Sequence, residues 1–159
     1  MKKTAWARLP LDAVFVAFLV LIDRVTKNLA LAYLGLGKPL LLKSFGGVSF
    51  QLTLTTNEGA AWGTLTGHPW ILLSIRFFFV FLLLFFYLHS SFSLLSRLAL
   101  LSILAGALGN IIDSFLLGYV VDMFHVVFWW WDYPVFNFAD ICIFVGCLGF
   151  LWDSMKKEV

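Results

Sequence analysis

Four stretches of about 20 mostly apolar residues dominate this chain, and a stretch of that length crosses the hydrocarbon core of a bilayer as a helix. They run over residues 11–31, 70–88, 98–117 and 136–152. The first is interrupted by Asp23, Arg24 and Lys27, the second holds Arg76, the third Asn110 and Asp113, and the fourth Asp140. Of the 159 residues, 62% are hydrophobic and 13% charged, against about 25% charged in an ordinary soluble domain. A soluble fold this short leaves too much of its surface in water to hide that load. The expectation is one integral membrane domain over residues 1–159, an all-α membrane protein built on a four-transmembrane-helix bundle.

The loops give orientation. Lys2, Lys3, Arg8, Arg97, Lys156 and Lys157 fall on one side, and only Lys38 and Lys43, in a longer loop, on the other. The positive-inside rule then puts both termini in the cytoplasm and the two long loops outside. The basic start, Met1 to Arg8, precedes an apolar run without a small-residue cleavage site, so it reads as a retained first span rather than a signal peptide. No C-terminal lipidation motif is visible. In the first outer loop, Val48-Ser49-Phe50-Gln51-Leu52-Thr53-Leu54-Thr55 alternates apolar and polar residues between turn-forming segments, the signature of a strand in a small extracytoplasmic β-sheet. The second holds Val126-Val127-Phe128-Trp129-Trp130-Trp131, an uncharged aromatic segment suited to the membrane interface.

Several function classes find no support. A net charge of +2 with scattered Lys and Arg offers no nucleic-acid footprint. Cys142 and Cys147 lie in an apolar run without metal-ligand spacing. His68, His89 and His125 form no HExxH pattern, and there is no GxSxG elbow. No metal or organic cofactor is implied.

Ionisable groups inside a membrane cost several kcal/mol and usually face the bundle interior with work to do. Asp23 and Lys27 are four apart and share a helix face; a snorkelling helix-end ion pair is an equal reading of that spacing. Asn110 and Asp113, preceded by Gly106 and Gly109, also share a face, with helix packing and capping as the plainer accounts. Asp122 lies just past the end of the third stretch and Asp140 at the start of the fourth, so antiparallel neighbours would hold both carboxylates at one membrane level. Two close carboxylates share a proton, and such a pair activates water and polarises a carbonyl, as peptide hydrolysis requires. Asn137, three before Asp140, can orient it. The residues alone also admit two unrelated loop-end carboxylates.

Together these residues resemble the lipoprotein signal peptidases, or signal peptidase II family. The likeness rests on Asp23-Arg24-Val25-Thr26-Lys27, on Thr56-Asn57-Glu58-Gly59-Ala60-Ala61-Trp62-Gly63, and on Gly106-Ala107-Leu108-Gly109-Asn110-Ile111-Ile112-Asp113. It continues through Gly118-Tyr119-Val120-Val121-Asp122 and Phe136-Asn137-Phe138-Ala139-Asp140. The resemblance implies an aspartyl endopeptidase of the bacterial inner membrane that cuts prolipoproteins before a diacylglyceryl-modified cysteine near the outer face. It implies Asp122 and Asp140 as the catalytic pair, with Asp23, Lys27, Asn57, Gly109, Asn110, Asp113 and Asn137 binding substrate or supporting the pair. It also implies four spans, a small sheet, an interfacial helix and inhibition by globomycin. The chain departs from the family pattern at Trp62 and Gly63 (usually Phe and Ser), at Met123 (often Phe), and at Ser114, where the family usually has Arg.

One rival comes from another class. Membrane-embedded carboxylates with Lys27 and Arg76 would suit a small ion- or proton-coupled transporter. Against it stand the missing inverted repeat and the gathering of carboxylates at one surface rather than at the midplane.

Overall fold

The computed structural model describes residues 8–58 and 69–156. The motif residues Gly59 to Gly63, and with them Trp62 and Gly63, lie outside the described residues, as do His68, Lys2, Lys3 and Lys157. In chain order the elements are α1 (Leu9–Tyr33), β1 (Leu40–Phe45), β2 (Val48–Asn57), α2 (Pro69–His89), α3 (Leu94–Leu117), β3 (Val120–Phe128), β4 (Trp131–Asp132) and α4 (Phe138–Met155). The protein is mostly helical with a small antiparallel sheet, in the order β1-β2-β3-β4.

Three described helices are long and apolar enough to cross a membrane: Trp70–His89, Leu94–Leu117 and Phe138–Met155. They turn apolar side chains outward, among them Phe78, Phe81, Leu94, Phe144 and Leu151, which only lipid would tolerate at this density. α1 has the length, 25 residues, but it carries Asp12, Asp23, Arg24 and Lys27, and of these Asp12, Asp23 and Lys27 are buried. It presents lipid-type side chains such as Val14, Phe18 and Leu21 on its other face.

α3 is the central helix, with buried residues along its whole length from Ser96 to Asp113. Ser93 caps its start by accepting from the Ser96 N–H at 3.1 Å, and Gly118, at φ 81°, ends it in the left-handed conformation. That conformation suits glycine because it has no Cβ to clash. α3 and α4 approach through small residues. A Cβ on Gly106 would run into the Ala139 carbonyl, and one on Gly146 would lie 2.6 Å from the Ala99 carbonyl oxygen. Gly109 meets α1 instead: a Cβ there would sit 2.5 Å from Asp23 Oδ2 and 3.3 Å from the Ala139 Cβ. Gly109→Ala must therefore displace the carboxylate or the helix. We expect a loss of about 1–3 kcal/mol, typical of overpacking, read as a lower midpoint of thermal unfolding in detergent.

Polar clusters tie the bundle at both ends. At one, Asp12 accepts from Tyr87 and pairs with Arg97 at 3.0 Å, while Asp153 accepts from Ser93 at 2.6 Å and from Ser96. These contacts join the start of α1, the end of α2, the start of α3 and the end of α4. The opposite end lies under the sheet.

The strand expected from alternation is β2. The tryptophan-rich segment expected at the membrane interface is part of the sheet. Among the described residues no helix follows α3 before α4; Val126, Val127 and Phe128 instead pair with Phe50, Ser49 and Val48. Trp129, at φ 51°, then turns the chain into β4. Strand pairing satisfies the backbone polar groups that a surface segment would leave to headgroup water. The turn leaves Trp129 and Trp130 67% and 91% exposed, so the aromatic surface that suggested the interface is present at a hairpin tip. β1, with Leu40, Leu41, Leu42 and Phe45 all exposed, continues that apolar rim.

Candidate functional site

The sheet is anchored to the bundle by a buried charge cluster. Lys27, wholly buried, places its ammonium 2.8 Å from Asp23 Oδ2, 2.9 Å from Asp113 Oδ2 and 3.0 Å from Asn110 Oδ1. This joins two turns of α1 to two turns of α3. The carboxylates then hold other elements. Asp23 Oδ1 accepts the backbone N–H of Ala139 at 2.9 Å, fixing the start of α4. Asp113 accepts the N–H of Val121 at 3.1 Å, fixing the start of β3, and also pairs with Arg24. The carboxylates meet cations and backbone N–H donors, and the ammonium meets carboxylates and an amide oxygen, which is what makes buried ions tolerable.

Above this layer sit Asp122 and Asp140. β3 holds Asp122, opposite Thr55 of β2, with 3% of its surface exposed. α4 holds Asp140 in its first turn. Asn137 caps that helix: its side-chain oxygen accepts the Asp140 N–H at 2.9 Å, and its own N–H donates to Asp140 Oδ2 at 3.1 Å. This reciprocal box satisfies two donors that a helix start would otherwise leave free. The Asn137 side chain also donates to Asp122 Oδ1 at 2.7 Å and to Asn110 Oδ1 at 3.1 Å. Asn110 in turn donates to Asp140 Oδ1 at 2.9 Å. Asn57, from the end of β2, hydrogen-bonds the Asp122 carboxylate. The two carboxylates are thus bridged by one buried asparagine.

Burial, and then the neighbouring charge of Asp140, lift the Asp122 carboxyl to about 7, against the pull of Asn137, Lys27 and Asn57. Near neutrality one proton is therefore readily held by this pair of groups. Asp140 also borders a cavity of about 370 Å³, lined otherwise by apolar and aromatic side chains including Phe128, Trp131, Tyr133, Phe136 and Phe144.

All nine site residues expected from the sequence thus take part in one connected arrangement, Gly109 by the close approach it permits to Asp23. Sequence reasoning gave no site role to Arg24, which pairs with Asp113, and gave one to Arg76, whose guanidinium donates to the Ser114 hydroxyl, only in the transporter reading. The available signal for both was a cation inside an apolar span. The backbone N–H groups of Val121 and Ala139 left no sequence signal.

The class defined by fold and site is a helical membrane bundle whose polar end bridges one buried carboxylate to a second. The comparisons with known proteins are more specific. The family model described as "Signal peptidase (SPase) II" matches residues 15–156. The lipoprotein signal peptidase of Chlamydia felis (strain Fe/C-56) is 37% identical over 143 residues, spanning 86% of this chain and 87% of that protein. Its counterpart in Clostridium acetobutylicum is 35% identical over 141 residues, spanning 87% and 89%. A solved structure described as "Bacterial membrane enzyme structure by the in meso method at 2.3 A resolution" superposes with a TM-score of 0.82 at 28% identity, covering 94% of this chain and 90% of that one. The chain belongs to the signal peptidase II family, the lipoprotein signal peptidases, and is an integral membrane aspartic peptidase that removes signal peptides from prolipoproteins.

Proposed function

We propose that the chain is an intramembrane aspartyl endopeptidase that cuts prolipoproteins before the diacylglyceryl-modified cysteine, with Asp122 and Asp140 as its catalytic pair. The observation that carries this reading is the Asn137 bridge between a buried Asp122 and Asp140. The pair holds one proton. The ionised carboxylate takes a proton from water, and the protonated one hydrogen-bonds the scissile carbonyl. Water adds to the carbonyl carbon, and the tetrahedral intermediate collapses as the pair returns a proton to the leaving amine of the cysteine. Asn137 and Asn110 keep the carboxylates in place, and Asn57 orients Asp122. Asp23, Lys27 and Asp113 support the pair from below, and Gly109 lets α1 and α3 close on one another.

The apolar cavity beside Asp140 supports approach from lipid, with the diacylglyceryl chains remaining in the bilayer. α1 acts as the fourth span. Its 25 residues make about 37 Å of helix at 1.5 Å per residue, longer than the ~30 Å hydrocarbon core. The whole chain forms one domain in the bacterial inner membrane. Both termini are cytoplasmic and the sheet with its site lies at the outer face, where globomycin blocks it.

Purified protein in detergent should cleave a diacylglyceryl-modified prolipoprotein before its cysteine, spare the unmodified form, and stop when globomycin is added. A rising pH strips the shared proton, so the rate should fall on the alkaline side with a midpoint of about 7. Acid should suppress it again as the second proton fills the pair. Equal cleavage of both substrates, or a rate still climbing well above that midpoint, would refute this reading.

A further inference from the structure

Arg76 is the charge in this bundle that the mechanism above leaves unused. It lies on α2, whose Phe and Leu residues mostly face lipid, on the side where Leu73 and Val80 pack toward α3. A guanidinium there is costly unless something at the bundle interior repays it. Its place is specific. The guanidinium reaches across the α2–α3 contact and donates to the Ser114 hydroxyl. That hydroxyl donates in turn to the backbone carbonyl of Asn110 at 2.8 Å, the residue whose side chain holds Asp140. Arg76 stands within electrostatic reach of Asp140, Asp122 and Asp113.

The charge balance gives the contact a meaning. The groups that pair with one another here are the carboxylates Asp23, Asp113, Asp122 and Asp140 and the cations Arg24, Lys27 and Arg76. Arg24 and Lys27 are committed to Asp23 and Asp113, both from α1. Among the described residues, Arg76 is what balances the ionised member of the Asp122–Asp140 pair. With it, the set is neutral when that pair carries a single proton. Without it, the same state leaves a net negative charge in a low-dielectric site, and a second proton is favoured.

We propose that Arg76 is a positioning residue for the reaction: delivered from α2 to Ser114, its guanidinium holds the catalytic pair in the singly protonated state. The inference rests on the reading of Asp122 and Asp140 as that pair. The small Ser114 hydroxyl leaves room for a guanidinium arriving from the neighbouring helix.

The test is the pH profile of cleavage, measured on full-length protein in detergent with a diacylglyceryl-modified prolipoprotein. Arg76→Gln should move the whole profile toward higher pH by about one unit, since losing a nearby cation raises carboxyl pKa values. On the steep part of the acid limb the rate at a fixed pH should fall by up to about tenfold relative to wild type, and on the alkaline limb it should rise. Arg76→Lys should keep the wild-type profile, because the charge persists. Adding Ser114→Arg to Arg76→Gln should return the profile toward wild type by supplying the guanidinium from α3. If Arg76→Gln does not accumulate, Ser114→Ala decides the matter, with a smaller shift in the same direction. A folded Arg76→Gln protein whose profile has not moved overturns the proposal, whatever its rate. The pair itself is judged separately: a wild type that fails to cleave, or an active Asp122→Asn, refutes the underlying reading, whereas an unmoved profile alone refutes only the role of Arg76.

Discussion

Asp122→Asn should fold normally, become more stable above neutral pH, and lose nearly all cleavage. The stability gain follows from linkage. The folded pKa of Asp122, about 7, lies above its ordinary value of 3.8. Its contribution to stability is therefore fully present below about pH 4 and lost as pH rises through about 7, where a buried carboxylate must ionise. An amide cannot ionise, and its oxygen can still accept from Asn137. The activity loss should be about 10²–10⁴-fold, the range a positioned acid or base contributes. Asp140→Asn should lose as much. It should also cost about 1 kcal/mol of stability, because Asp140 accepts through both oxygens, from Asn110 and from the Asn137 backbone, and an amide can serve only one of these donors. Thermal unfolding at pH 6 and pH 8 beside the cleavage assay separates a chemical from a structural role. An Asp122→Asn protein that is less stable at pH 8 and equally impaired in folding would make Asp122 structural.

Lys27→Met should produce the largest loss of stability, about 3–5 kcal/mol, the usual result of removing one partner from a buried ion network. Asp23 would lose the only cation within salt-bridge distance among the described residues, and Asp113 would keep only Arg24. Because Asp23 fixes the start of α4 and Asp113 the start of β3, the damage should reach the site, and activity should fall with stability. Adding Asp23→Asn should restore part of the loss, since the amide oxygen can still accept from Ala139 while the uncompensated charge is gone. Thermal midpoints in detergent for the single and double variants check this. A double variant no more stable than Lys27→Met would mean that the charge on Asp23 is not the source of the cost.

How much was visible beforehand depended on the range of each signal. Apolar length marks a span locally, and the stretches at 70–88 and 98–117 lie within α2 and α3. Alternation along Val48–Thr55 announced β2, although burial does not follow it throughout: Phe50 is exposed and Thr53 buried, and the pairing with β3 shifts register between Leu52 and Thr55. β3 carried no comparable signal: Val120, Val121, Asp122 and Met123 are all buried, so its sides do not differ in polarity, and periodicity fails for such strands. The hairpin at Trp129 was hidden for a related reason. A tryptophan run reports affinity for an interface but not the backbone shape that displays it. β1 reads Leu-Leu-Leu-Lys-Ser-Phe and is exposed throughout, so no alternation exists to detect.

The sequence by itself determined that the chain needs lipid, where its main helices run, and which polar residues had to be sheltered together, because hydropathy and helical spacing are local properties. Spacing could pair Asp23 with Lys27, four residues apart on one helix. Tertiary structure alone decided that Lys27 also binds Asp113 and Asn110, that Asp23 holds the start of α4, that Asn137 bridges Asp122 to Asp140, and that Arg76 meets Ser114. Those partners lie on different elements, and which of them meet is set by the crossing of α1, α2 and α4 against α3 and by the register of β2 on β3. The crossings of α1 and α4 on α3 depend on close approach at Gly106, Gly109 and Gly146, whose effect on packing appears only once the helices are in contact.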